Sequence, residues 1–67
     1  MLSARNQLVG VIKSIKLGDI MAEVVIQVGQ FELVSAITRG SADAMGLKVG
    51  DQVKAVIKST EVMVDKP

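Results

Sequence analysis

The sequence predicts an all-β domain with one short helix, its element order that of a five-stranded barrel. Three observations predict it. Apolar residues alternate with polar ones through most of the chain, and glycine-containing pairs punctuate those runs. One stretch of small residues, Thr38 to Gly46, breaks the alternation between the third and fourth runs.

The first strand is read over Gln7–Leu17: apolar on both faces from Leu8 to Ile12, then alternating as Lys13, Ser14, Ile15, Lys16 and Leu17. Gly10 inside it marks either a bulge or a close backbone approach. Gly18-Asp19 reads as a two-residue hairpin turn. In the second strand Ile20, Ala22, Val24, Ile26 and Val28 share one face, with Glu23 and Gln27 on the other. Gly29-Gln30 turns into a third strand, Phe31–Ile37, with Phe31, Leu33 and Ile37 inward and Glu32 and Val34 outward. Phe31, the one aromatic residue, reads as core.

Thr38–Gly46 then predicts about two turns of helix. Thr38 or Ser41 serves as N-cap, and Gly46 suits the left-handed position after the last turn. Leu47–Asp51 is a loop with a Gly-Asp turn, followed by a fourth strand in which Val53, Ala55 and Ile57 alternate with Gln52 and Lys54. A fifth strand, Glu61–Val64, follows Lys58-Ser59-Thr60, and Asp65–Pro67 is a tail. Three strands, a helix and two strands is the order of an OB-like Greek-key barrel, here one domain over residues 1–67.

Composition narrows function by exclusion. With no cysteine and no histidine, thiolate or imidazole metal sites and Ser-His or Cys-His catalytic pairs are not expected. The seven acidic residues fall in turns or on outward strand positions with no acid–base spacing, so no enzyme is read. The methionines Met1, Met21, Met45 and Met63 are dispersed and read as packing residues. Net charge is +1 with the charges scattered, and stacking aromatics are missing. An OB-type nucleic-acid-binding or regulatory module is therefore the alternative reading, not the leading one. No apolar run approaches the ~20 residues that span a bilayer, and no signal-peptide pattern is present, so no membrane partner is expected.

What remains is a surplus of apolar residues, 49% of the chain with a mean hydropathy of +0.44. A chain this short buries only ~60% of the surface its unfolded form exposes. The expectation is an obligate homo-oligomer.

Two polar knots stand out against the apolar scaffold. Ser3-Ala4-Arg5-Asn6-Gln7 leads into the first strand, and Lys58-Ser59-Thr60-Glu61 interrupts the last two. The first reads either as a polar chain end or as half of a binding site; the second reads either as a plain hairpin connection or as the other half. Both are rich in donors: a guanidinium, an ammonium, hydroxyls and amides. A tetrahedral dianion offers only acceptor oxygens, so it is matched by such a set, each charge-assisted hydrogen bond contributing roughly 1.5–3 kcal/mol.

Ser3–Leu8, Ala22–Val25, Gly46–Asp51 and Ala55–Met63 together resemble the molbindins, single Mop-type domains of the molybdate-binding TOBE class. The resemblance covers almost the whole chain. It implies subunits that exchange strands to form dimers, and three dimers assembled as a hexamer. It implies binding of molybdate or tungstate between subunits, as a cytoplasmic store or buffer for the oxyanion and without a catalytic cofactor. No DNA-binding or ATPase domain is attached, which favours the stand-alone storage reading. Carried over by motif, the anion contacts are Ser3 and Arg5 from the first knot and Lys58 and Ser59 from the second. Thr38 is a further donor candidate. Asn6 and Thr60 either donate or hold the motif in shape, and backbone N–H groups at Ala4 and Thr60 are included. The second knot is expected to come from a different subunit than the first.

Overall fold

The computed structural model describes residues 4–67; Ser3, a predicted anion contact, lies outside the described residues. The elements run β1 (Asn6–Leu17), β2 (Met21–Val28), β3 (Phe31–Thr38), α1 (Arg39–Met45) and β4 (Gln52–Ile57), with a single 3-10 turn at Ser59–Glu61. The strands form one antiparallel sheet in the order β3-β2-β1-β4.

β1 is the axis of this sheet because it is long enough to serve two partners. Its first half pairs with β4, from Asn6↔Ile57 to Val11↔Gln52, and its second half pairs with β2, from Val11↔Gln27 to Leu17↔Ala22. Two devices let it change partner. Gly10 lies where β1 leaves β2, so close that a Cβ there would stand 2.6 Å from the Gln27 carbonyl oxygen. The sequence left a bulge or a close approach open at Gly10; the close approach is what occurs. The bulge sits at Lys13, where the register shifts between Ile12 and Ser14.

Inward residues of the strands build the core: Ile12, Val24, Ile26 and Ala55, flanked by Ile15, Val28, Leu33, Ile37, Leu47 and Val53. The helix caps as expected. The Thr38 side chain accepts from the Ser41 N–H at 3.0 Å, and Gly46 takes the left-handed conformation with its N–H on the Asp43 carbonyl. In the following loop Asp51 accepts from the Lys48 N–H at 2.9 Å, which closes the Gly-Asp turn.

Three expectations are corrected. The first turn is longer than two residues: Gly18 N–H bonds the Met21 carbonyl, β2 begins at Met21, and Ile20 is left exposed with its carbonyl held by the Arg39 N–H. Phe31 is not core but 66% exposed, because it opens β3, the sheet's outer strand, with no neighbour beyond it. Glu61–Val64 is not a strand within the described chain. Glu61 and Val62 N–H groups fold back onto the Lys58 and Ser59 carbonyls, and no ladder partner is within reach beyond them. The sheet therefore has four strands and stays open between β3 and β4.

That opening is an apolar trough of about 630 Å³, lined among others by Leu33 and Val34 of β3, Val53, Ala55 and Ile57 of β4, and by Lys58 and Glu61.

Candidate functional site

The two polar knots meet in one chain. The β1–β4 ladder runs out at Asn6↔Ile57, so continuing its register sets Arg5 opposite Lys58 and Ala4 opposite Ser59. Within one chain, the two knots thus extend from the same end of the β1–β4 ladder. β-strand alternation then sorts the side chains. Asn6 shares the inward face with Gly10 and Ile12, whereas Arg5 lies on the outward face with Gln7, opposite Lys58 and Val56.

Arg5 and Lys58 are both exposed, and neither takes part in an ion pair among the described residues. The salt bridges there are elsewhere: Lys13 with Glu32, and Arg39 with Asp43 within α1. Neither cation is neutralised by an ion pair there, and an anion near either one is favoured electrostatically. Glu61 is the acid nearest in sequence, one turn beyond Lys58.

Backbone donors stand beside them. At the start of the Ser59–Glu61 turn, the N–H groups of Ser59 and Thr60 have no acceptor within the turn itself. The Ser59 and Thr60 hydroxyls are exposed next to them. On the first knot, the Gln7 side-chain amide donates to the Ala4 carbonyl at 2.7 Å and fixes the lead-in to β1. Gln7 belongs to the donor-rich stretch but was not singled out as a site residue. Its i to i−3 spacing to Ala4 is the one signal that could have found it.

Thr38 is not brought to this end of the sheet. It pairs with Met21 at the far end of β2, close to Gly18, whose carbonyl accepts from Arg39 Nη1 at 3.1 Å. Its hydroxyl is engaged in the helix cap, donating to Ser41 Oγ at 2.8 Å while accepting from the Ser41 N–H. Among the described residues no group of three His, Cys, Asp or Glu side chains could hold a metal ion, and no helix is long and apolar enough to cross a membrane.

Fold and site together define a small antiparallel β-domain whose central strand carries a cluster of cationic and neutral donors at one end. The chain belongs to the TOBE domain family, whose model matches residues 2–64. It is 45% identical over 64 residues to molybdenum-pterin-binding protein 1 of Clostridium pasteurianum, covering 94% of each chain. Among solved structures, the molybdate-binding protein from Sporomusa ovata superposes with a TM-score of 0.95 at 41% identity, covering 98% of both chains. ModG, described as a cytoplasmic molybdate-binding protein, matches at a TM-score of 0.82 and 40% identity; the match covers 88% of this chain and 43% of ModG.

Proposed function

We propose that this protein binds molybdate or tungstate as the intact oxyanion, without catalysing a reaction on it, and serves in the cytoplasm as a store or buffer. The observation that supports the reading is the β1–β4 register, whose last pair, Asn6↔Ile57, leaves Arg5 and Lys58 at the same end of the sheet, with Ser59 and Thr60 following Lys58. A tetrahedral dianion fits that set because every group in it can donate to the ligand's acceptor oxygens and none needs a donor on the ligand. Ser3, the Ala4 N–H and the Arg5 guanidinium hold it from the first knot, and Lys58, Ser59 and Thr60 from the second. Asn6, half-buried on the inward face, holds the motif in shape. The names of the similar proteins, which bind molybdate or molybdenum-pterin, support the ligand class.

The site is completed in a homo-oligomer. Met63 and Val64 are each 93% exposed, and the trough between β3 and β4 lacks the strand that would close it. The exchanged element is the Val62–Val64 segment of a second copy, which fills the trough and ends beside Lys58. Such dimers assemble in threes as a hexamer, and the anion is enclosed where subunits meet. There Thr38 of a neighbouring copy becomes available as a further donor, which it is not within one chain.

Titration calorimetry with molybdate and with tungstate tests the reading, alongside native mass spectrometry for oligomer size and anion count. Arg5→Ala and Lys58→Ala each remove a charge-assisted hydrogen bond and weaken binding by about 10- to 150-fold, the equivalent of ~1.5–3 kcal/mol. No uptake of either oxyanion by the wild-type protein at millimolar concentration would overturn it.

A further inference from the structure

The Gln7 side chain has a use that its position on an exposed strand face does not require. Its Nε2 donates to the Ala4 carbonyl at 2.7 Å, across the three residues that lead into β1. An exposed strand residue ordinarily leaves its amide to water, and this one closes a loop of its own backbone. Because the Ala4–Arg5 peptide is trans, its carbonyl and its N–H point in opposite directions. Tying the carbonyl to Gln7 therefore fixes the direction of the Arg5 N–H as well. It also occupies an acceptor oxygen next to Arg5, which an anion held there would not favour.

We infer that Gln7 is a positioning residue for the anion site: its amide locks the Ala4–Arg5 peptide so that this strand end presents donors, not a carbonyl, beside Lys58. The inference rests on the anion-binding reading above. Gln7 pairs with Val56 on the outward face of the β1–β4 pair, and Arg5, two residues earlier, continues that face. The lock thus acts on the residue that carries the guanidinium, and it acts before any ligand arrives. The core does not depend on it, since the residues that fill the core lie on the inward face. Gln7 can lose its amide without unfolding the domain.

Gln7→Met keeps the length of the side chain and removes the donor. Two readouts on the assembled protein test the role: molybdate affinity by calorimetry, and hydrogen exchange of the backbone over residues 4–7 in the ligand-free state. Expected are an unchanged oligomer mass and melting temperature, faster exchange over residues 4–7, and a molybdate Kd weakened by about five- to tenfold, the worth of one neutral hydrogen bond. A variant with two defects, Gln7→Met with Arg5→Ala, loses less than the product of the single losses, because the lock acts through Arg5. Wild-type affinity in Gln7→Met, with the wild-type protein itself binding, overturns the role of Gln7 and leaves the site reading standing. Lost affinity that tracks a lowered melting temperature or a smaller assembly overturns it too, since that pattern is structural. Failure of the wild-type protein to take up molybdate removes the site reading and this inference with it.

Discussion

Replacing Gly10 with alanine adds one methyl group, and the structure says where it goes. The new Cβ would lie 2.6 Å from the Gln27 carbonyl oxygen, 2.7 Å from Ile26 Cγ2 and 2.9 Å from Val28 Cγ2. Carbon contacts are comfortable near ~3.5–4.0 Å, so three neighbours are crowded at once. None has an easy retreat. One is backbone, Ile26 is buried in the core, and Val28 packs against it. Overpacking of this kind costs about 1–3 kcal/mol. Without the crowding, the same change would gain roughly 0.5–1 kcal/mol, because glycine in a strand loses more freedom on folding than alanine. The sign of the effect therefore decides the matter. For a domain of this size a loss of 1–3 kcal/mol lowers the melting temperature by roughly 5–20 °C, read by circular dichroism or calorimetry. Chain concentration is held equal, since assembly contributes to stability. Gly40→Ala is the control: it lies in α1, nothing is within 4 Å of its added methyl, and it is expected to stabilise by about 0.5–1 kcal/mol. A Gly10→Ala protein that melts at or above the wild-type temperature would refute the close approach of β1 to β2. It would also remove the reason for β1 to change partner at that point, on which the meeting of Arg5 with Lys58 depends.

Two further outcomes follow from the same structure. Thr38→Ala removes the acceptor for the Ser41 N–H and lowers stability by about 1 kcal/mol in thermal melts, whereas Thr38→Ser keeps the cap and stays near wild type. Met63→Asp sets a charge in a segment that is 93% exposed in one chain but apolar by composition; native mass spectrometry is expected to show a smaller assembly, because an unpaired charge is costly to bury in the trough between β3 and β4.

The features legible in the sequence are those decided by a few consecutive residues. Thr38 and Ser41 already carry a helix start, Gly46 its end, and Gly50-Asp51 a turn closed by the aspartate side chain. The alternation of Ala22, Val24 and Ile26 names three buried residues correctly. What escaped is decided by the neighbour and not by the residue. Phe31 has the character of a core residue, but β3 is an outer strand, and a residue there is buried only if something lies beyond it. Glu61–Val64 has the composition of a strand, but a strand needs a ladder partner, and none is offered within the described chain. Ile20 continues the alternation on paper, yet the Arg39 N–H holds its carbonyl in the turn. The site divides in the same way. Both knots are visible as donor-rich stretches, whereas their juxtaposition comes from pairing two strands from opposite ends of the chain.

Several of the exposed apolar residues share a place. Phe31, Val34, Val62, Met63 and Val64 are all on β3 or on the segment that follows Lys58. An open monomer would leave them in water, at a cost of ~25 cal/mol for each Å² of apolar surface that could be buried. The trough whose walls include Val34 is also lined by Lys58 and Glu61, so whatever fills it arrives beside the second polar knot. Under the proposed function, one element then covers the apolar surface and encloses the donors. A domain with too little core to stand alone and a site with too few walls to exclude water would have the same remedy, and assembly and anion binding would be one property.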